Sequence, residues 1–279
     1  MKQATVRYSF YFAAALVVGP ICGGLVAGLS LADGSPQATA LVSTNPVMGV
    51  LLLMVSFVLA GLLGVAASRF SGLRVGFTTA GIALMWPAWR SGNIDQILRS
   101  IDSGSVFWKL AFEGGLLAIV AAIVAVAIWY FSSERFATPE DQRGDLLHGI
   151  KGSNPALLGG SVLGAVAAGA VVGAAFAVSP LKGQTIASGV FGGIFAATAL
   201  RLAWTGAPAY LGVVAVGIIA TIGPIAGAFA GSSPLDALNR HNLWSIAIPV
   251  PIDWYAGGFF GIPIGLSWAA GLGTRAKGK

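Results

Sequence analysis

An all-α integral membrane protein is the fold class this sequence predicts, and three observations predict it. The composition is strongly apolar, the apolar residues gather into runs of bilayer-spanning length, and the basic residues between those runs favour one side. Of 279 residues, 56% are hydrophobic and 9% charged, against roughly a quarter charged in an ordinary soluble domain. The 40 glycines show no short period and sit inside Leu, Ile, Val, Ala and Phe runs, so they read as helix-packing positions rather than as a low-complexity polymer. The net charge of +6 comes from basic residues scattered singly over loops and ends, which argues against nucleic acid as a partner. Cys22 is the only cysteine; an intrachain disulfide and a cysteine-rich metal site are excluded, and no metal or other cofactor is expected.

A helix needs about 20 predominantly apolar residues to cross the hydrocarbon core. Tyr8 to Leu31, Val47 to Ala67, Ala156 to Val178 and Tyr210 to Ala230 meet this directly, and Leu110 to Phe131 and Trp254 to Leu272 nearly so. Gly183 to Leu200 is shorter and more polar, and Gly76 to Trp89 is the weakest, a full span or a tilted half-span. The first run follows Lys2 and Arg7 as a signal peptide would, and Ala38-Thr39-Ala40 resembles a cleavage site, but the run matches a full span and exceeds a signal core. About eight transmembrane helices result.

With a cytoplasmic N-terminus, Lys2, Arg7, Arg69, Arg74, Arg135, Arg143, Lys151, Arg201, Arg275, Lys277 and Lys279 fall inside; Arg90, Arg99, Lys109, Lys182 and Arg240 fall outside. The bias places both termini in the cytoplasm, across a plasma membrane or a bacterial inner membrane. Trp86, Trp89, Trp108 and Trp254 then fall at outer boundaries, with Trp129 and Trp204 at inner ones, as an aromatic belt would have them.

The two halves correspond weakly in three places. Gly24, Ser30 and Gly34 match Gly173, Ser179 and Gly183; Gly81-Ile82 before Trp86-Pro87 matches Gly217-Ile218 before Gly223-Pro224; and Asp95 to Arg99 matches Asp236 to Arg240. Beyond these, Trp108 with Gly114-Gly115 parallels Trp254 with Gly257-Gly258. The expected organisation is a parallel duplication of a four-helix unit, residues 1–131 and 155–279, joined by a charged cytoplasmic linker, 132–154. Within the linker, Thr138-Pro139-Glu140-Asp141 has the order of a helix start.

Candidate contact residues cluster where spans are interrupted. Pro87, preceded by Trp86, and Pro224, preceded by Gly223, sit near the outer ends of the third and seventh spans, and symmetric interruptions free backbone groups for a ligand. Beyond each lies a helical pattern: Ile94, Ile97, Leu98 and Ile101 form one apolar stripe with Asp95 and Arg99 paired beside it, and Ser233-Pro234-Leu235-Asp236 resembles a capping box with Asp236 in register with Arg240. Both are expected to be outer, amphipathic interfacial helices. Glycine pairs four apart, among them Gly19 and Gly23, Gly24 and Gly28, Gly160 and Gly164, Gly169 and Gly173, and the series from Gly257 to Gly265, predict flat faces where helices approach closely.

Ionisable groups are scarce in the spans. Glu113 lies one turn from Lys109, suggesting an i, i+4 pair or snorkelling. Catalysis is not expected: His148 and His241 fall on opposite sides, and a surface centre around His241 requires Asp236 and Asp253 to converge on it. The leading reading is a non-catalytic structural or anchoring subunit of a membrane complex, in contact with lipids and with other membrane subunits or copies of itself. A transporter or channel for a small, largely uncharged solute is the alternative, and a polar cavity between the halves is what it would require.

Overall fold

The computed structural model describes residues 2–133, 135, 155–231 and 233–277. Among these, regular structure is helical, apart from one isolated bridge between Ser30 and Pro36. Helix α1 (Lys2–Ala13) passes through a π turn at Ala14–Val18 into α2 (Gly19–Val26), with the Gly19 N–H reaching back to the Ala14 carbonyl. The wide turn sits just before Pro20, which cannot supply the N–H that an α ladder would need there. There follow α3 (Pro46–Ser71), α4 (Leu73–Arg90), the short α5 (Ile94–Ser100), α6 (Ser105–Phe131), α7 (Pro155–Phe176), α8 (Lys182–Ala203), α9 (Tyr210–Ala228), the short α10 (Pro234–Asn239) and α11 (Pro251–Lys277).

Among the described residues, six segments are long and apolar enough to cross a membrane: Gln3–Val26, Pro46–Ser71, Ser105–Phe131, Ala156–Phe176, Lys182–Ala203 and Tyr210–Ala228. The chain is a polytopic membrane protein with these six candidate spans. Their outward faces carry exposed apolar side chains such as Leu62, Ile119, Ile123, Leu163 and Val171. Helices α4 and α11 are also long, at 18 and 27 residues, but less apolar. Their position gives the reason. They pack on one another inside the bundle, the chain is buried without a break from Ala247 to Phe259, and α4 buries Phe77, Ala80, Gly81 and Leu84. A helix that meets protein on most sides needs a matching surface more than it needs hydrophobicity.

That match is made by glycine. A Cβ on Gly261 would lie 2.1 Å from the Val190 carbonyl oxygen, one on Gly265 2.1 Å from that of Ile194, and one on Gly189 2.4 Å from that of Asp253. Thus α8 and α11 touch backbone to backbone. Gly81 meets the Phe260 backbone in the same way, and Gly114 meets the Ala220 carbonyl oxygen, 2.5 Å from where its Cβ would be. The last contact has a local cause: Pro224 lacks the N–H that would bond Ala220 four residues earlier, and a glycine from α6 covers the freed oxygen. Tyr255 donates its hydroxyl to the Gly114 carbonyl at 2.7 Å, tying α11 to the same place.

Several expectations change. The first span ends at Val26, because Leu29, Leu31, Ala38 and Ala40 belong to a loop packed into the bundle. That loop is held by its own turns; the Ser35 hydroxyl and N–H bond Asp33 Oδ1 at 2.5 and 2.9 Å and keep its carboxyl below the ordinary carboxylate range. Trp89 and Trp108 are exposed, but Trp254 is fully buried over Gly173 and Gly192, and Trp129 is buried against Tyr210. Neither of the latter two belongs to a lipid-facing belt. Ile94, Ile97 and Leu98 are also wholly buried, so the stripe of α5 faces the protein instead of a membrane surface. Helices α5 and α10 touch, and Asp102 accepts bonds from Ser233 Oγ and Leu235 N at 2.8 and 3.0 Å. The expected helix start at Thr138 and the histidine at 148 lie outside the described residues.

Overpacking of a tight core costs about 1–3 kcal/mol. Gly261→Ala is therefore expected to lower the resistance of the detergent-solubilised protein to SDS unfolding by roughly that amount. Gly115→Ala, at a position with nothing within 4 Å of the added Cβ, is expected to leave the midpoint unchanged.

Candidate functional site

Polar chemistry inside the bundle gathers at one end, where α8 and α11 begin, α4 finishes and α6 is in its third turn. Lys182 is the first residue of α8 and Asp253 lies in the first turn of α11, a position where the helix dipole favours an acid. Their side chains form an ion pair of 2.9 Å between Nζ and Oδ1 and are 11% and 1% exposed. Lys182 Nζ also donates to Ser91 Oγ at 3.2 Å, and Ser91 Oγ donates to the Ala88 carbonyl at 2.9 Å. Ser91 follows the last residue of α4, four positions beyond Pro87, so the proline-bearing helix end and both halves of the chain meet at this ammonium.

Glu113 approaches from α6. It is buried, and its Oε2 accepts the Leu41 N–H at 2.8 Å, which fastens the loop between α2 and α3 to the bundle. The charges of Lys182 and Asp253 both reach it. Glu113 Oε1, Asp253 Oδ2, Thr39 Oγ1 and Trp254 Nε1 are buried without a hydrogen bond of good geometry, although the Thr39 hydroxyl lies near Glu113 and the Thr185 hydroxyl near Asp253. Two carboxylates face one ammonium, an arrangement that leaves one formal negative charge unmatched if all three ionise. Buried polar atoms in this condition are costly and mark places of interest.

Neither expectation for Glu113 is met: it pairs with the Leu41 backbone while Lys109 is exposed, because the α6 face carrying Glu113 turns inward. The centre imagined around His241 does not form either. Asp253 is committed to Lys182 and Asp236 to Arg240 at 3.1 Å, while His241 lines a cavity of about 410 Å³ with Asp95, Ser179, Asn239 and Ser245. His241 sits at φ 57°, a left-handed conformation that places it at a turn after α10.

The other singled-out residues are dispersed. Trp86 covers Gly19 and Gly23; Pro87 and Pro224 are buried within α4 and α9, which each run on for about one more turn. Gly223 packs on the Ile246 carbonyl, and neither proline lines the cavity beside His241. Asp95 and Arg99 pair at 2.9 Å as the spacing predicts, inside a complete Asn93–Gln96 capping box, and the Ser233 cap on α10 accepts the Asp236 N–H at 3.2 Å. Lys182 was passed over as a boundary lysine. Its signal was depth: it and Asp253 open two runs that start on the same side, so their side chains fall at one level.

Removing one partner of a buried pair strands the other charge and costs about 3–5 kcal/mol. Lys182→Met is expected to destabilise the protein to about this extent in SDS titration, and Lys182→Met with Asp253→Leu to recover most of the loss. No family model, curated protein or solved structure matches the chain.

Proposed function

We propose that this chain is a non-catalytic structural or anchoring subunit of a membrane complex, and that it docks other membrane helices through small-residue faces that its own bundle leaves open. One observation carries the reading. The glycine pairs divide into two sets: Gly19 with Gly23, Gly169 with Gly173, and Gly257 through Gly265 are filled by neighbouring helices, whereas Gly24, Gly28, Gly159, Gly160 and Gly164 have nothing within 4 Å of an added Cβ. On α7 the open glycines share an exposed face with Leu163, Ala167 and Val171. A flat exposed strip of this kind suits close helix approach in lipid, where association relies on packing.

The rest of the proposal is architectural. Eight crossings are supported by the length of α4, about 27 Å at 1.5 Å per residue, and by the fully enclosed start of α11. Cytoplasmic termini rest on the Lys/Arg bias. A duplication is supported by reciprocal contacts: α4 packs on α11 and α6 on α9, with Gly81 against Phe260 in one pair and its counterpart Gly217 against Ala118 in the other.

Extraction into native lipid particles is expected to bring down stoichiometric protein, either a different subunit or a second copy, and Gly160→Ile with Gly164→Ile to release it while the folded bundle persists. A monomeric, partnerless wild-type particle would sink the proposal.

A second reading, a pathway for a small uncharged solute, is favoured by the unpartnered acceptors around Lys182. It predicts glycerol-driven swelling of proteoliposomes that is lost in Lys182→Met; swelling no faster than in empty vesicles removes it.

A further inference from the structure

The loop between α2 and α3 lies against the Lys182 cluster and is closed on itself. The Thr44 N–H donates to the Ser30 carbonyl at 2.9 Å, and the hydroxyls of the same two residues lie 3.3 Å apart. Between these touching ends the N–H groups of Leu31, Gly34 and Ser43 bond the carbonyls of Ser35, Leu31 and Thr39 at 2.9 to 3.0 Å, and the Ala38 N–H reaches Leu29 at 3.1 Å. A compact stretch with joined ends and its own internal bonds is an Ω-loop, which moves as one body. We propose that Ser30 to Thr44 is a lid over the Lys182 cluster, latched by Glu113, and that it opens as a unit to admit water.

Its position makes it a cover. Ala38 to Ala40 are buried against the bundle, whereas Ala32 to Gly34 are exposed. The Gln37 carbonyl rests on Gly92, where any Cβ would displace it, and Gly92 follows Ser91, the residue that accepts from Lys182. The Ala40 carbonyl rests on Gly49 of α3, 2.5 Å from where a Cβ would lie. Gln37 sits at φ 70°, a left-handed conformation that a side chain disfavours, at its contact with Gly92. The inner edge of the loop is thus wedged between α3, the end of α4 and α6.

Side chains fasten it there. Glu113 Oε2 accepts the Leu41 N–H at 2.8 Å with the Thr39 hydroxyl nearby, and at the exposed tip Asp33 lies near Ser100 at the end of α5. Glu113 also feels the charges of Lys182 and Asp253, so the latch belongs to the cluster that the lid covers. Gly28, with nothing within 4 Å of an added Cβ, and Asn45, the N-cap of α3, flank the closed ring. Residues at element ends absorb the dihedral changes of such closures. An open lid brings water to the Glu113 and Asp253 oxygens that lack a bond of good geometry. The lid rests on neither reading of the chain's function.

The test follows the full-length protein in native lipid particles by hydrogen exchange and by thiol labelling. The N–H groups of Leu31, Gly34, Ala38, Leu41, Ser43 and Thr44 are expected to exchange at one common rate, ahead of the middle of α3 and of α6. In Ser91→Cys, a small hydrophilic thiol reagent is expected to label the introduced thiol slowly; Cys22 is fully buried, and the unaltered chain measures its background. Glu113→Leu removes the acceptor with little change of volume, and Gly49→Ala crowds the Ala40 carbonyl. Added to Ser91→Cys, each is expected to speed both lid exchange and labelling about tenfold, and Gly115→Ala to change neither. Two openers at separate places keep the test decisive should one of them fail to fold. The proposal is overturned if the loop N–H groups exchange at unrelated rates, if the introduced thiol labels as fast as a surface thiol without an opener, or if a folded opener leaves labelling unchanged.

Discussion

Backbone contact between α8 and α11 is the constraint on which the rest of the structure depends. In lipid there is no hydrophobic gain from pressing one apolar helix against another, so cohesion rests on van der Waals contact and on the few polar bonds available. Gly189, Gly257, Gly261 and Gly265 remove the side chains that would hold these helices apart. Once α11 is seated there, its other faces are available to Gly81 of α4, Val216 of α9 and the Gly114 carbonyl of α6. A helix outside the six candidate spans is therefore the one around which those spans assemble.

The buried charges fit the same geometry. Lys182 and Asp253 stand at the starts of the two helices that pack most closely, so the contact that aligns the helices also brings an ammonium to a carboxylate at 2.9 Å. Ser91 connects that pair to α4, and Glu113 secures the loop over the top. The arrangement closes one end of the bundle with polar bonds whose strength is increased by exclusion of water. It also leaves carboxylate oxygens unmatched, the feature on which the solute-pathway reading rests, whereas the anchoring reading rests on the open glycines of α7.

At the other end, Arg7, Arg74 and the start of α4 line a cavity of about 420 Å³. The described charged residues that line it are basic. Among the described residues the asymmetry is chemical: one end holds the buried Lys182–Asp253 pair with Glu113, and the other a cavity lined by Arg7 and Arg74. Between them the exposed glycines of α2 and α7 form surfaces that the chain itself does not use.

How much of this was legible from the residues alone follows from the range of the forces involved. Run length and low charge announced membrane helices, because transfer from water to lipid is a property of each segment by itself; all six apolar candidate spans were visible in this way. Short-range order was equally readable: the Ser233 cap and the Asp95–Arg99 and Asp236–Arg240 pairs stand where spacing put them, while the Asn93 cap on α5 came only with the structure. Which glycine pairs would be filled and which left open was decided only by tertiary packing, because the sequence pattern of Gly160 and Gly164 is the same as that of Gly19 and Gly23. The inward turn of Glu113, the meeting of Lys182 with Asp253 across 71 residues, and the burial of Trp254 were likewise decided by the assembled bundle. Each depends on what faces it from a distant part of the chain, whereas hydrophobicity and local hydrogen bonding depend on the segment alone.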